Sequence, residues 1–187
     1  SSNGGNKRAS IGTFCHEFSH VLGLPDYYLT TESPIIKERE TPGAWSLMGY
    51  GNYLNDGNTP PNYSVYDKYY LGWLEPTALA VTQSLEIPAD GMTTYMLASN
   101  EKHVSDGAYR TDTVYYIENR QQEGWDAYLP GHGMLIWRVI FNENDWYNNS
   151  PNDYVARYRL ISAKSVSSPY TTTKPKPEVP FPGSGNI

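Results

Sequence analysis

Apolar side chains recur at Ile11, Phe14, Cys15, Phe18, Val21 and Leu22, a three-and-four spacing that predicts a helix over residues 9–22. Gly23 then offers a left-handed stop, and Pro25 keeps the helix from resuming. Residues 30–44 are polar and broken by Pro34, Pro42 and Gly43, so they read as a surface excursion. A compact apolar stretch closed by glycines follows at 44–51, then a loop rich in Asn, Gly and Pro at 52–63. Residues 64–71 suit a second helix with Val65, Tyr66, Tyr69 and Tyr70 on its packing face, ended by Gly72 to Pro76.

After residue 76 the period changes to two. Residues 81–88, 94–98 and 114–118 read as short strands, the last with Val114, Tyr116 and Glu118 alternating with Tyr115 and Ile117. A near-continuous apolar strand follows at 134–141, interrupted by Arg138, and another strand at 155–161. Residues 99–113 read mostly as loop. The pattern predicts an α+β protein in three parts: a helical, loop-rich portion at 1–76, a β-rich portion at 77–163 packed on it, and a Ser/Thr/Pro-rich tail or linker at 164–187.

Composition changes this picture little. Of 187 residues 39% are hydrophobic and 18% charged, which suits one substantial core. The net charge of −6 and the lack of a basic run argue against a nucleic-acid partner. No apolar stretch reaches the roughly 18 residues of a membrane-spanning helix. Cys15 is the single cysteine, so no intrachain disulfide forms, and its place on the helix favours a core thiol over a metal ligand.

Chemistry concentrates in residues 16–26, His-Glu-Phe-Ser-His-Val-Leu-Gly-Leu-Pro-Asp. His16 and His20, four apart, project from one helix face and can hold one metal ion. A sharp turn at Gly23 would bring Asp26 back against them. Two imidazoles and a carboxylate suit Zn2+ and leave a fourth position for water, whose pKa the metal lowers. Glu17, beside the first ligand but directed differently, is placed to act as general base and acid for that zinc-bound water.

The same residues resemble the metzincin zinc signature with aspartate as third ligand. The Leu-Pro-Asp-Tyr ending is similar to the immune inhibitor A-like peptidases, the M6 family of secreted bacterial metalloproteases. The resemblance implies a zinc endopeptidase acting on extracellular proteins, with a metzincin-like catalytic portion of zinc helix, methionine turn and C-terminal helix. Trp45-Ser46-Leu47-Met48-Gly49-Tyr50 matches the methionine turn, with Met48 beneath the metal and Tyr50 as switch or oxyanion partner. Residues 63–74, ending in Gly72-Trp73, resemble the segment after that turn, and residues 115–121 and 129–137 resemble later strands.

Relatives often carry His-x-Asp after the Leu-Ile-Trp run, whereas this chain has Arg138-Val139-Ile140. An ion-pair network of Glu118, Arg120 and Arg138 is expected in its place. His132, between glycines, reads as a surface turn, and His103 as an exposed loop residue. The oxygen-rich residues of 142–153, with Asp106, Asp112 and Asp126, read as solvated loops, a structural Ca2+ site being the competing reading. Catalytic domains of the resembled type carry a sheet and a backing helix before the zinc helix, but only 15 residues precede His16 here. An upstream segment is therefore expected to complete the domain, and this portion alone is expected to be short of full activity. The competing functional reading is a non-catalytic zinc domain that binds peptide or carbohydrate.

Overall fold

The alternating segments pair into a five-stranded sheet in the computed structural model, which describes residues 9–31, 41–100, 103–105, 108–110, 112–163 and 179–182. In chain order the elements are α1 (Ile11–Val21), α2 (Val65–Tyr70), β1 (Thr77–Ala78), β2 (Tyr95–Ala98), β3 (His103–Ser105), β4 (Ala108–Arg110), β5 (Thr113–Arg120), β6 (Gly133–Ile140), α3 (Glu143–Tyr147) and β7 (Tyr158–Ile161). Short 3-10 turns occupy Gly43–Trp45, Gly51–Gly57 and Gly124–Asp126. The sheet runs β1-β2-β5-β6-β7, antiparallel except for the β1–β2 pair, while β3 and β4 form a separate two-stranded ribbon. The α+β expectation holds.

Three details differ from the sequence pattern. Residues 81–88 form no strand: they lie mostly exposed, with the apolar side chain of Val81 71% exposed, so no core face rewards their pairing. The stretch read as loop at 99–113 contains β3 and β4, and the polar run at 142–153 contains α3. Of the tail, residues 179–182 are described: Val179 is buried, and Phe181 bridges to Met134 on β6. Residues 164–178 and 183–187 lie outside the described residues.

One face of the sheet carries Tyr116, Leu135, Trp137, Val139 and Tyr158, all buried. The helical portion packs there through Leu24, Tyr27, Trp45, Met48, Val65 and Tyr66. Aromatic rings dominate the contact: Tyr27 stacks on Tyr158 at 3.8 Å and Tyr66 meets Tyr116 edge-on at 5.3 Å. α2 begins with a capping box, in which Ser64 and Asp67 each accept the other's backbone N–H.

The apolar stripe of α1 faces outward. Ile11, Phe14, Phe18 and Val21 are all exposed, and Phe14 stacks on Phe18 at 6.2 Å. The buried face carries Gly12, His16 and Ser19 instead. Gly12 explains the choice, since a Cβ there would lie 2.0 Å from the Asn52 carbonyl oxygen. Only a glycine lets the helix approach the Gly51–Gly57 turn this closely.

The expected network of Glu118, Arg120 and Arg138 is only partly found. Strand pairing puts Arg138 on the sheet face opposite Glu118 and Arg120, where its Nη1 donates to the Ala156 carbonyl. On the inner face Trp137 Nε1 donates to Glu118 at 2.7 Å, and Arg120 binds both oxygens of Asp126. Arg120 also donates to the carbonyls of Asn62 and Trp45, tying β5 to the turn that precedes Met48. The Arg120 guanidinium and the Asp126 carboxylate are both buried, so removing one leaves an uncompensated charge. Arg120→Ala is expected to cost about 3–5 kcal/mol in urea unfolding, and adding Asp126→Ala much less than its separate cost.

Candidate metal centre

Ser10 caps α1 by accepting the Thr13 N–H, and the helix ends at a Gly23 with φ of 102°. That left-handed residue reverses the chain so that the Leu24 N–H reaches back to the Ser19 carbonyl at 3.1 Å. Two consequences bear on the histidines. The Leu24 carbonyl lies 2.8 Å from His20 Nδ1, and Asp26 arrives against both rings. The Leu47 carbonyl, in the tight turn before Met48, lies 3.0 Å from His16 Nδ1.

A carbonyl oxygen only accepts, so each Nδ1 carries the proton that these contacts need. Each neutral ring then presents the lone pair of Nε2. His16 Nε2 lies 3.0 Å and His20 Nε2 3.4 Å from the same oxygen, Asp26 Oδ1. That oxygen is buried and accepts no hydrogen bond. Three electron-rich atoms, all within 4.8 Å of one another, therefore converge. Such an arrangement needs positive charge between its members. Atoms bound at about 2.0–2.1 Å in a tetrahedron stand about 3.3 Å apart, close to the separations seen here. Protons meet the same demand. Burial would lower His16, yet Asp26 and the Leu47 carbonyl outweigh it and hold the imidazole above its ordinary value. Burial would raise Asp26, but His16, Asn149 and Tyr28 outweigh it and keep the carboxyl below the usual range.

The remaining sequence candidates are distributed around this cluster. Glu17 is exposed, follows His16 on α1, and contributes to the electrostatic environment of His16 and Tyr28. Met48 is fully buried, and its carbonyl accepts the Tyr27 N–H at 2.8 Å. Tyr50 stacks on Tyr28 at 5.7 Å, but the ring contact with His16 is made by Tyr28, at 6.3 Å. No motif in the sequence singles out Tyr28, and only its place two residues after Asp26 signals it. Cys15 packs against the core, outside the group of converging ligand atoms. His132 is exposed, and the His103 side chain and Asp106 lie outside the described residues.

Several of the oxygens considered for Ca2+ have protein partners. Asp145 pairs with Arg157, Asp126 with Arg120, and Asp153 accepts from Thr30. Asn142 caps α3 by accepting the Asp145 N–H. Among the described residues, His16, His20 and Asp26 are the only group of three or more His, Cys, Asp or Glu poised around one ion.

This geometry can be set beside known families. Residues 5–74 match the family model for the immune inhibitor A peptidase M6 catalytic domain. The match covers less than half of the 187-residue chain, so it is a likeness of this stretch alone. Comparisons with curated proteins and with solved structures found no match. The matched residues contain α1, the Met48 turn and α2, so they include all three atoms of the cluster. The likeness read at 115–121 and 129–137 lies outside it. M6 is a family of metallopeptidases, and the His-His-Asp cluster is compatible with metal binding.

A cleft of about 550 Å3 adjoins the cluster at His20, with Tyr70, Phe141, Trp146 and Tyr147 among its walls and Asn149 beside Asp26. At Zn2+ about 100-fold above its Kd, unfolding should become harder by about 2.7 kcal/mol. His16→Ala, His20→Ala and Asp26→Ala should each erase that gain in a thermal melt. A gain surviving all three would place the ion elsewhere.

Proposed function

We propose that the chain carries the metal centre of a zinc-dependent endopeptidase that cuts extracellular proteins, with His16, His20 and Asp26 as ligands. The observation that carries this reading is the convergence of two Nε2 lone pairs on an unpartnered carboxylate oxygen. Zinc suits two imidazoles and a carboxylate, and bound there it would supply Lewis acidity for the scissile carbonyl and lower the pKa of water.

The chain's own residues do the rest. His16 and His20 are held as Nδ1–H tautomers by the Leu47 and Leu24 carbonyls, which keeps both Nε2 atoms free to ligate. Glu17 takes the proton of the attacking water and returns it to the departing amine, as its place beside the first ligand allows. Tyr28, stacked on His16, and Tyr50, stacked on Tyr28, line the approach and are our candidates for steadying the oxyanion. Met48 supports the site from the core.

A peptide substrate would lie along the cluster with one side chain in the aromatic cleft beside His20. We assign the exposed stripe of Ile11, Phe14, Phe18 and Val21 to contact with an upstream part of a metzincin-like catalytic domain. The likeness to secreted bacterial peptidases supports action outside the cell. Among the described residues no helix is long and apolar enough to cross a membrane.

The test is metal content and protein cleavage measured together on the full-length protein, with Glu17→Gln for comparison. One zinc per chain is expected in both, with cleavage about 10^2- to 10^4-fold slower in Glu17→Gln. Zinc without cleavage in the parent would favour the non-catalytic binding domain. Loss of zinc from Glu17→Gln would remove the assigned division of labour.

A further inference from the structure

Unlike the two histidines, Asp26 sits on no regular element, so its aim depends on what grips the chain around it. The grip comes from 123 residues downstream. Asn149 Nδ2 donates to Asp26 Oδ2 at 2.7 Å, while Asn149 Oδ1 accepts the Asp26 backbone N–H at 2.6 Å. Both functions of one amide thus engage both parts of one aspartate. The residue is itself fixed just past the end of α3: its N–H donates to the Trp146 carbonyl, and its φ of 57° lies in the left-handed region that asparagine tolerates.

Neighbouring residues extend the attachment. Asn152, fully buried, donates to the Tyr27 carbonyl at 2.8 Å and pairs with the backbone of Tyr158 on β7. Asp153 accepts the backbone N–H and hydroxyl of Thr30. Residues 149–153 therefore fasten 26–30 at three points, and of these residues only Asn149 touches the carboxylate, which the Tyr28 side chain also meets.

We propose that Asn149 is a positioning residue of the metal centre, orienting Asp26 so that Oδ1 alone meets the ion. This rests on the metal-centre reading above. With Oδ2 committed to the Asn149 amide, Asp26 binds through one oxygen and the fourth position stays open to water. A carboxylate free to swing could offer both oxygens, and would lose orientational freedom on binding. Partners of this kind, one shell out from a metal, are typically worth about 10- to 100-fold in affinity. The β-rich portion thereby sets the metal affinity of a site whose ligands all lie in the first 26 residues.

The experiment is Zn2+ affinity by chelator competition on the full-length protein, with the Co2+ absorption spectrum and the thermal melt of the metal-free form. Asn149→Gly removes the clamp while tolerating the left-handed backbone. Asn149→Asp keeps an acceptor for the Asp26 N–H but sets a carboxylate against Oδ2. Asp153→Asn disturbs the same attachment without touching Asp26. Both Asn149 variants are expected to bind Zn2+ about 10- to 100-fold more weakly and to shift the Co2+ spectrum, with Asp153→Asn within twofold of the parent. Parent-like affinity in Asn149→Gly and Asn149→Asp would overturn the proposal and leave the metal centre standing. Equal weakening in Asp153→Asn would also overturn it, reducing Asn149 to a structural tie. A parent that binds no zinc would bring down the metal-centre reading and this proposal with it.

Discussion

Two imidazole nitrogens and a carboxylate oxygen face one another across 3.0 and 3.4 Å, and left to themselves they would repel. The surrounding structure is arranged to keep them there. Backbone carbonyls hold both rings from behind, a left-handed glycine returns the chain, and an asparagine from the far end grips the aspartate. Positive charge between the three atoms, from a metal ion or from protons, turns that repulsion into attraction, and the arrangement is compatible with metal binding.

The short segment after Gly23 is where the two halves of the molecule meet. The Tyr27 N–H goes to the Met48 carbonyl, its carbonyl to Asn152, and its hydroxyl to Asp67 on α2. Its ring lies flat on Tyr158 of β7. Asp67 is fully buried, and burial pushes its carboxyl above the ordinary value. The capping box and the Tyr27 hydroxyl satisfy it, so α2, the sheet and the segment that carries Asp26 share one polar core. Packed rings and directed hydrogen bonds thus join the β-rich portion to the segment that carries Asp26.

Much of the site was legible because its spacing is local. His16, His20, Gly23 and Asp26 lie within one helix and one turn, so periodicity and a stop signal suffice to bring them together. The turn around Met48 marked it as a residue to examine, and the structure buries it. Asn149 was not, because a partner 123 residues away leaves no local trace, and a polar run of Asn and Asp looks the same whether solvated or gripping backbone. Arg138 was misjudged for want of register: one step along β6 puts it on the opposite face from Glu118. The α1 stripe misled in another way, since hydrophobic spacing finds an apolar face without revealing what covers it. Gly12, small enough to meet the Asn52 carbonyl, decided which face turned inward.

The most direct test of the central claim is X-ray absorption at the zinc edge on the full-length, metal-loaded protein. The account predicts light-atom ligands at about 2.0–2.1 Å, with the multiple-scattering signature of two imidazoles and one or more oxygens. A sulfur shell at about 2.3 Å would bring in Cys15, and a site lacking imidazole would put the ion elsewhere; either would contradict it.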